Sequence, residues 1–196
     1  MGPNTGGEEN GVAELGEIVC SQSIWWDGFQ ELKEFNLAML AKQGWQLQQR
    51  KNSLVYHVLK SKYFQNCEFS QATLGSNPSF TWCNIMVAQA IVNHGLHWRI
   101  GNGEKVRVWG DKWLPTPSMY RVTSPRMFLQ AEMLVCDLIY WEKAYWKIEA
   151  IDALLLPHEA EEIKKIPPSS RLPTDKQIWA CSPNGLFTVC NAYWVA

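Results

Sequence analysis

Six basic residues stand out: Lys42, Arg50 and Lys51 in one group, and Arg99, Lys105 and Arg107 in another. From Phe35 to Cys67 the chain has no aspartate or glutamate, and Lys60 and Lys62 extend that basic zone. Cations gathered on one surface neutralise phosphates, and aromatic rings such as Trp45, Tyr63 and Trp98 can stack on unpaired bases. The pattern therefore points to contact with RNA or DNA, with those six residues as phosphate contacts. A plainer reading competes with it, in which the charges solvate helix faces and the tryptophans fill a core.

Other reactive groups carry competing readings of the same kind. His94 and His97 flank Gly95-Leu96, and Cys83 or Cys67 would be needed to complete a tetrahedral metal site. A helix-ending His94 and a strand-opening His97 explain the pair without a metal. Cys181 and Cys190 have no second pair beside them and read as structural. Glu159, Glu161, Glu162 and Asp175 form an acidic run near His158, better explained as a solvated helix face than as an acid/base pair. The sequence contains no P-loop, dinucleotide fingerprint or nucleophile elbow. No catalytic residue, metal or cofactor is expected.

The elements that must position the cations can be traced from apolar spacing. Leu32, Phe35, Leu37, Met39, Leu40, Trp45 and Leu47 predict a helix over 31–48. Asn52 or Ser53 can cap a second helix reaching about Phe64, and Ser79 a third reaching about His94. Trp98 and Ile100, then Gly101-Asn102-Gly103, then Val106 and Val108 predict a β-hairpin with Arg99, Lys105 and Arg107 on its outer face. Helical, acidic segments broken at Pro157 are expected over 135–168. A second hairpin is expected from Gln177–Cys181 through Pro183-Asn184-Gly185 to Leu186–Val189, then a helix from Asn191. The fold class is α+β, mainly helical with two β-hairpins packed on helices, and 1–24 reads as a disordered tail. Residues 25–132 form the helices and the Trp-rich hairpin, and 133–196 the acidic helices and second hairpin.

Composition bounds these readings. Hydrophobic residues make up 46% of 196, with 11 Trp, enough to bury a real core. A net charge of −1 excludes a strongly basic binder judged on totals, so any nucleic-acid contact must be local. There is no run of 18 apolar residues, so no membrane span is expected. The polar start and six scattered Cys suggest an intracellular protein of nucleus or cytoplasm, not a secreted one, with reduced thiols.

The words Trp98-Arg99-Ile100-Gly101-Asn102-Gly103, Val106-Arg107-Val108-Trp109 and Trp113-Leu114-Pro115 resemble plant LINE-type (non-LTR) retrotransposon reverse transcriptases, in the region after the polymerase core. The resemblance runs from about Gly28 to the C-terminus. Phe35 to Trp45 resembles the helix after fingers and palm, in the thumb-like part. Gly185-Leu186-Phe187-Thr188-Val189 with Ala192-Tyr193 resembles the approach to a zinc-binding Cys/His segment, whose ligands would lie beyond Ala196. Where relatives carry Gly-Gly-Leu-Gly-Phe, this chain has Trp25-Trp26-Asp27-Gly28-Phe29, which suggests a junction near residue 27. Polymerases of this family hold two metal ions on a Tyr/Phe-Ala-Asp-Asp motif. This chain has no Asp-Asp pair anywhere.

The resemblance thus implies a non-catalytic segment that ancestrally helped hold template RNA or target DNA. It also implies packing against a polymerase domain absent from this chain. The competing class is a structural or protein-interaction module, whose mark would be a contiguous apolar patch rather than clustered cations.

Overall fold

Hydroxyl side chains start three of the helices. Ser53 Oγ accepts from the Tyr56 N–H at 3.2 Å, Ser79 Oγ from Trp82 N–H at 3.3 Å, and Thr188 Oγ1 from Asn191 N–H at 3.1 Å. Each satisfies one of the orphan donors that every helix N-terminus leaves. The computed structural model describes residues 32–115, 120–125, 132–140, 142–169 and 171–196. The tail expected over 1–24 lies outside the described residues.

The chain folds as α+β. Helices α1 (Leu32–Gln49), α2 (Leu54–Tyr63), α3 (Phe80–Val87) and α4 (Gln89–Gly95) come first, followed by strand β1 (Leu96–Arg99). Strands β2 (Ile139–Tyr140) and β3 (Tyr145–Trp146) precede α5 (Ile148–Leu154) and α6 (Pro157–Lys165). Strand β4 (Lys176–Trp179) and α7 (Val189–Tyr193) end it. The helix expected from Ser79 to His94 is broken at Ala88, whose N–H bonds to Ile85 and Met86. Beside the break, the Gln89 amide donates to the carbonyls of Phe69 and Ala72. Pro157 opens α6, where its missing N–H has no cost. None of the described helices is long and apolar enough to cross a membrane.

The strands differ from expectation in their partners. Both expected hairpins supply one real strand, and the two strands pair with each other. Antiparallel β1–β4 aligns Leu96 with Trp179, His97 with Ile178, Trp98 with Gln177 and Arg99 with Lys176. Val106 and Val108 turn instead to Met133 and Val135, through Val108 N–H to Met133 O and Val135 N–H to Val106 O. After β4 a turn does form at Ser182–Gly185, but Leu186–Val189 leads into α7 and not into a return strand. A hairpin that the spacing did not predict, β2–β3, stands within the segment expected to be helical.

Two buried clusters hold these elements. In the first, Trp82 is fully buried, stacked on Tyr63 at 4.7 Å and on Phe64 at 5.6 Å, with α1, α3, α4, α7 and Trp179 around it. Truncating such a ring costs about 3–5 kcal/mol. The second lies within Val106 to Ile163, where Trp113, Leu138, Ile139, Ile151 and Ile163 meet, and Trp98 and Ile100 lean on it. Strand β1 therefore runs between the two clusters. Of the cysteines, Cys67, Cys83, Cys136 and Cys181 are free thiols, whereas Cys190 is disulfide-bonded, which corrects the expectation of reduced thiols throughout.

Candidate nucleic-acid interface

The Gly101–Lys105 loop is held by one carboxylate from 70 to 74 residues away. Asp175 is buried, and its Oδ1 accepts from Gly101 N–H at 2.7 Å and Gly103 N–H at 2.8 Å, while Oδ2 accepts from Lys105 N–H at 2.9 Å. Hydrogen bonds to a charged acceptor are the strong kind, and here the donors are all backbone. They explain why the expected hairpin fails. The inward-facing donors of the turn are taken by Asp175, and β1 is left to pair with the strand that Asp175 introduces. The glycines are required for this. A Cβ on Gly101 would lie 1.9 Å from Pro173 O, and Gly103 has φ +73 with Cys136 N 2.5 Å from its would-be Cβ.

Lys105, Lys176 and Arg99 stand beside this anchor. Lys176 follows Asp175 in the chain, and Arg99 sits opposite Lys176 in the β1–β4 register. Like charges directly opposed in a ladder are unfavourable. Arg50 follows Gln49, whose amide donates to Gln177 O at 3.3 Å, while the neighbouring Gln48 amide reaches Gln177 Oε1 at 3.0 Å. These bonds bring the end of α1 onto β4. Lys42 precedes Gln49 by seven residues, two turns back on nearly the same helix face and about 10 Å along the axis. Lys42, Arg50, Arg99, Lys105 and Lys176 are all exposed, and none has an ion-pair partner among the described residues.

The other two expected contacts stand apart in one respect. Lys51 pairs with Glu68 at 2.8 Å, and Arg107 with Glu132 at 3.2 Å. Both pairs are exposed and worth little to the fold, but a phosphate would have to displace an acid to reach them. Lys176 is an exposed cation beside the clamp that sequence reasoning did not single out. In the sequence its neighbour Asp175 offsets it, whereas in the fold the Asp175 carboxylate is turned to the Gly101, Gly103 and Lys105 N–H groups.

The remaining candidates are placed as follows. The imidazole of His97 is buried, with Nε2 2.9 Å from Leu114 O and the ring T-shaped to Tyr120 at 5.1 Å. Burial pushes its pKa down, Lys112 adds to that, and the Leu114 carbonyl opposes it. His94 is exposed at the end of α4, whose last carbonyls are capped by Lys112 Nζ, 2.8 Å from Asn93 O and 2.9 Å from His94 O. Glu159, Glu161, Glu162 and Asp175 do not form one acidic run. Glu159 is buried on Thr123 and Ser124, accepting from both N–H groups and both hydroxyls. Burial alone would raise its pKa, but the bonds from Ser124 and Thr123 outweigh burial and hold it below the ordinary value. Glu161 and Glu162 pair with Lys164 and Lys165 along α6.

No protein-family model matches the chain, and no solved structure matches it. It is similar to two proteins of Arabidopsis thaliana. One, an uncharacterized mitochondrial protein, is 33% identical over 87 residues, covering 44% of this chain and 56% of that protein. The other, with a provisional ribonuclease H designation, is 27% identical over 172 residues, covering 85% of this chain and 27% of that protein. The chain thus spans little more than half of one relative and about a quarter of the other.

Proposed function

We propose that this chain is a non-catalytic segment of a plant retrotransposon reverse transcriptase of the LINE type, and that it grips the phosphates of template RNA or target DNA. The observation that carries the grip is the group of exposed cations without an ion-pair partner among the described residues, Arg99, Lys105 and Lys176 at the loop that Asp175 clamps, with Lys42 on α1 and Arg50 just after it. A backbone so tightly held keeps its charges in place before a ligand arrives, which lowers the ordering cost of binding. Similarity to a long plant protein with a ribonuclease H designation agrees with an origin in a multi-part retrotransposon polyprotein. Arg107 and Lys51 contribute at the margin, once released from their acids.

The test is binding of a 20-nucleotide RNA and its DNA counterpart, followed by fluorescence anisotropy, for Lys176→Glu against Lys165→Glu. The two reversals change net charge equally, but Lys165 lies on α6, paired to Glu162. Weaker binding with the first and near wild-type binding with the second is the expected result. Equal effects would reduce the grip to bulk charge.

One observation favours a second reading, a surface for a protein partner. On α2, Leu54, Val55 and Val58 point to solvent, and on α3 Phe80 is 83% exposed. If that reading holds instead, Val58→Lys abolishes self-association or partner capture while the charge reversals change nothing.

A further inference from the structure

The unexpected hairpin carries a different kind of surface. Ile139 and Trp146 pair across β2–β3 and are buried, so the next pair, Tyr140 and Tyr145, faces outward. The two rings are 49% and 65% exposed, side by side in register. They line an open cleft of about 700 Å³ together with Lys143, Lys147 and Ile148. Lys147 Nζ lies 5.4 Å from the centre of the Tyr140 ring and is steadied by Asp137 O at 2.9 Å. Glu142 and Glu149 also line the cleft, so its lysines and acids cancel. A neutral, aromatic-walled cleft does not suit a phosphate. It suits an uncharged planar group.

The cleft is tied to the clamped loop through bonded backbone, with Glu104 and Asp137 beside Cys136 on the way. The carbonyl of Gly103, in the clamped loop, accepts from Cys136 N–H at 3.0 Å. Asp137 is the next residue and holds Lys147, and Lys147 N–H donates in turn to Leu138 O. The path from Lys105 to Tyr140 therefore crosses one short, bonded segment.

We propose that Tyr140 and Tyr145 stack unpaired bases of a single-stranded nucleic acid whose phosphates lie on Arg99, Lys105 and Lys176. The proposal rests on the phosphate-grip reading and adds to it a preference for single strands over duplex. Bases have π-faces whatever their sequence, so the stacking is sequence-tolerant. In a duplex those faces are stacked on each other and unavailable.

The experiment compares a 12-nucleotide oligouridine with a 12-base-pair RNA duplex by fluorescence anisotropy, using the full chain. The proteins are wild type, Tyr140→Ala/Tyr145→Ala and Tyr140→Phe/Tyr145→Phe, each first shown by circular dichroism to keep the wild-type fold. The expected result is single-strand binding about tenfold weaker in the alanine variant, duplex binding unchanged, and recovery in the phenylalanine variant. An alanine variant that binds oligouridine like wild type overturns the stacking alone and leaves the cleft to a peptide. Equal loss on single strand and duplex also overturns it. A folded wild type that binds neither RNA overturns both this proposal and the grip on which it rests.

Discussion

Asp175 and Glu159 are both buried acids, and each ties down a loop distant in the sequence. Asp175 uses only backbone donors, at Gly101, Gly103 and Lys105. Glu159 uses two N–H groups and two hydroxyls of Thr123 and Ser124, and the Ser124 hydroxyl also accepts from Leu156 N–H at 2.7 Å. The difference lies in what each clamp carries. Around Glu159 the chain closes over the second core, and the clamp serves packing. Around Asp175 the fixed loop holds Arg99, Lys105 and Lys176 at the surface, with no acid to pair them among the described residues. The same device serves stability in one place and, in our account, a binding surface in the other.

Removing either acid separates these roles. Asp175→Ala leaves three backbone donors without their acceptor and is expected to destabilise by about 3–5 kcal/mol in urea unfolding. Asp175→Asn keeps one acceptor oxygen and should fall between, with RNA binding weakened while the protein remains folded. Glu159→Ala is expected to cost about 2–4 kcal/mol for the same reason. It should leave RNA binding unchanged below its unfolding midpoint. If Glu159→Ala weakened binding as much as Asp175→Asn, the contrast between the clamps would collapse.

Acid sharpens the comparison further. Glu159 has a lowered pKa in the fold, so the unfolded state takes up a proton first as pH falls. The stability it contributes is present above about pH 4.5, the ordinary value, and is lost as pH falls below that toward the folded value. His97, also lowered, acts higher, costing stability as pH drops below about 6.5 because the unfolded imidazole charges first. A two-stage decline in unfolding midpoint is expected, and His97→Asn should remove the upper stage. The smallest effect belongs to the like-charged pair. Lys176→Ala should lower the salt slope of binding by about 1 and raise stability by about 0.2–1 kcal/mol.

Much of the helical part was legible in the residues. The extent of α1 and the caps at Ser53 and Ser79 depend on neighbours within a few positions and appear as expected. The face that α1 buries, however, is Ala38, Ala41, Gly44, Leu47 and Gln48, while Leu32 and Met39 of the expected stripe are exposed. Strands β1 and β4 were legible as strands because alternation is also local. Their pairing was not, since Arg99 and Lys176 are far apart in the chain and nothing nearby specifies their register. Asp175 was visible only as one more acid, because a clamp on backbone N–H groups leaves no side-chain signature. For the site, the sequence supplied the exposed cations but neither Lys176 nor the loop that organises them. The β2–β3 hairpin was hidden by flanking residues with helical character, and its turn places Ala144 at φ +51, which no motif announces.

The measurement that bears most directly on this account is the salt dependence of single-stranded RNA binding by the wild-type chain. With four to five phosphates neutralised, the affinity should fall log-linearly with salt, with a slope of about −3. A chain shown to be a folded monomer that binds no RNA at low salt, or binds with a flat slope, contradicts the phosphate grip and leaves the exposed apolar faces of α2 and α3 as the surface to pursue.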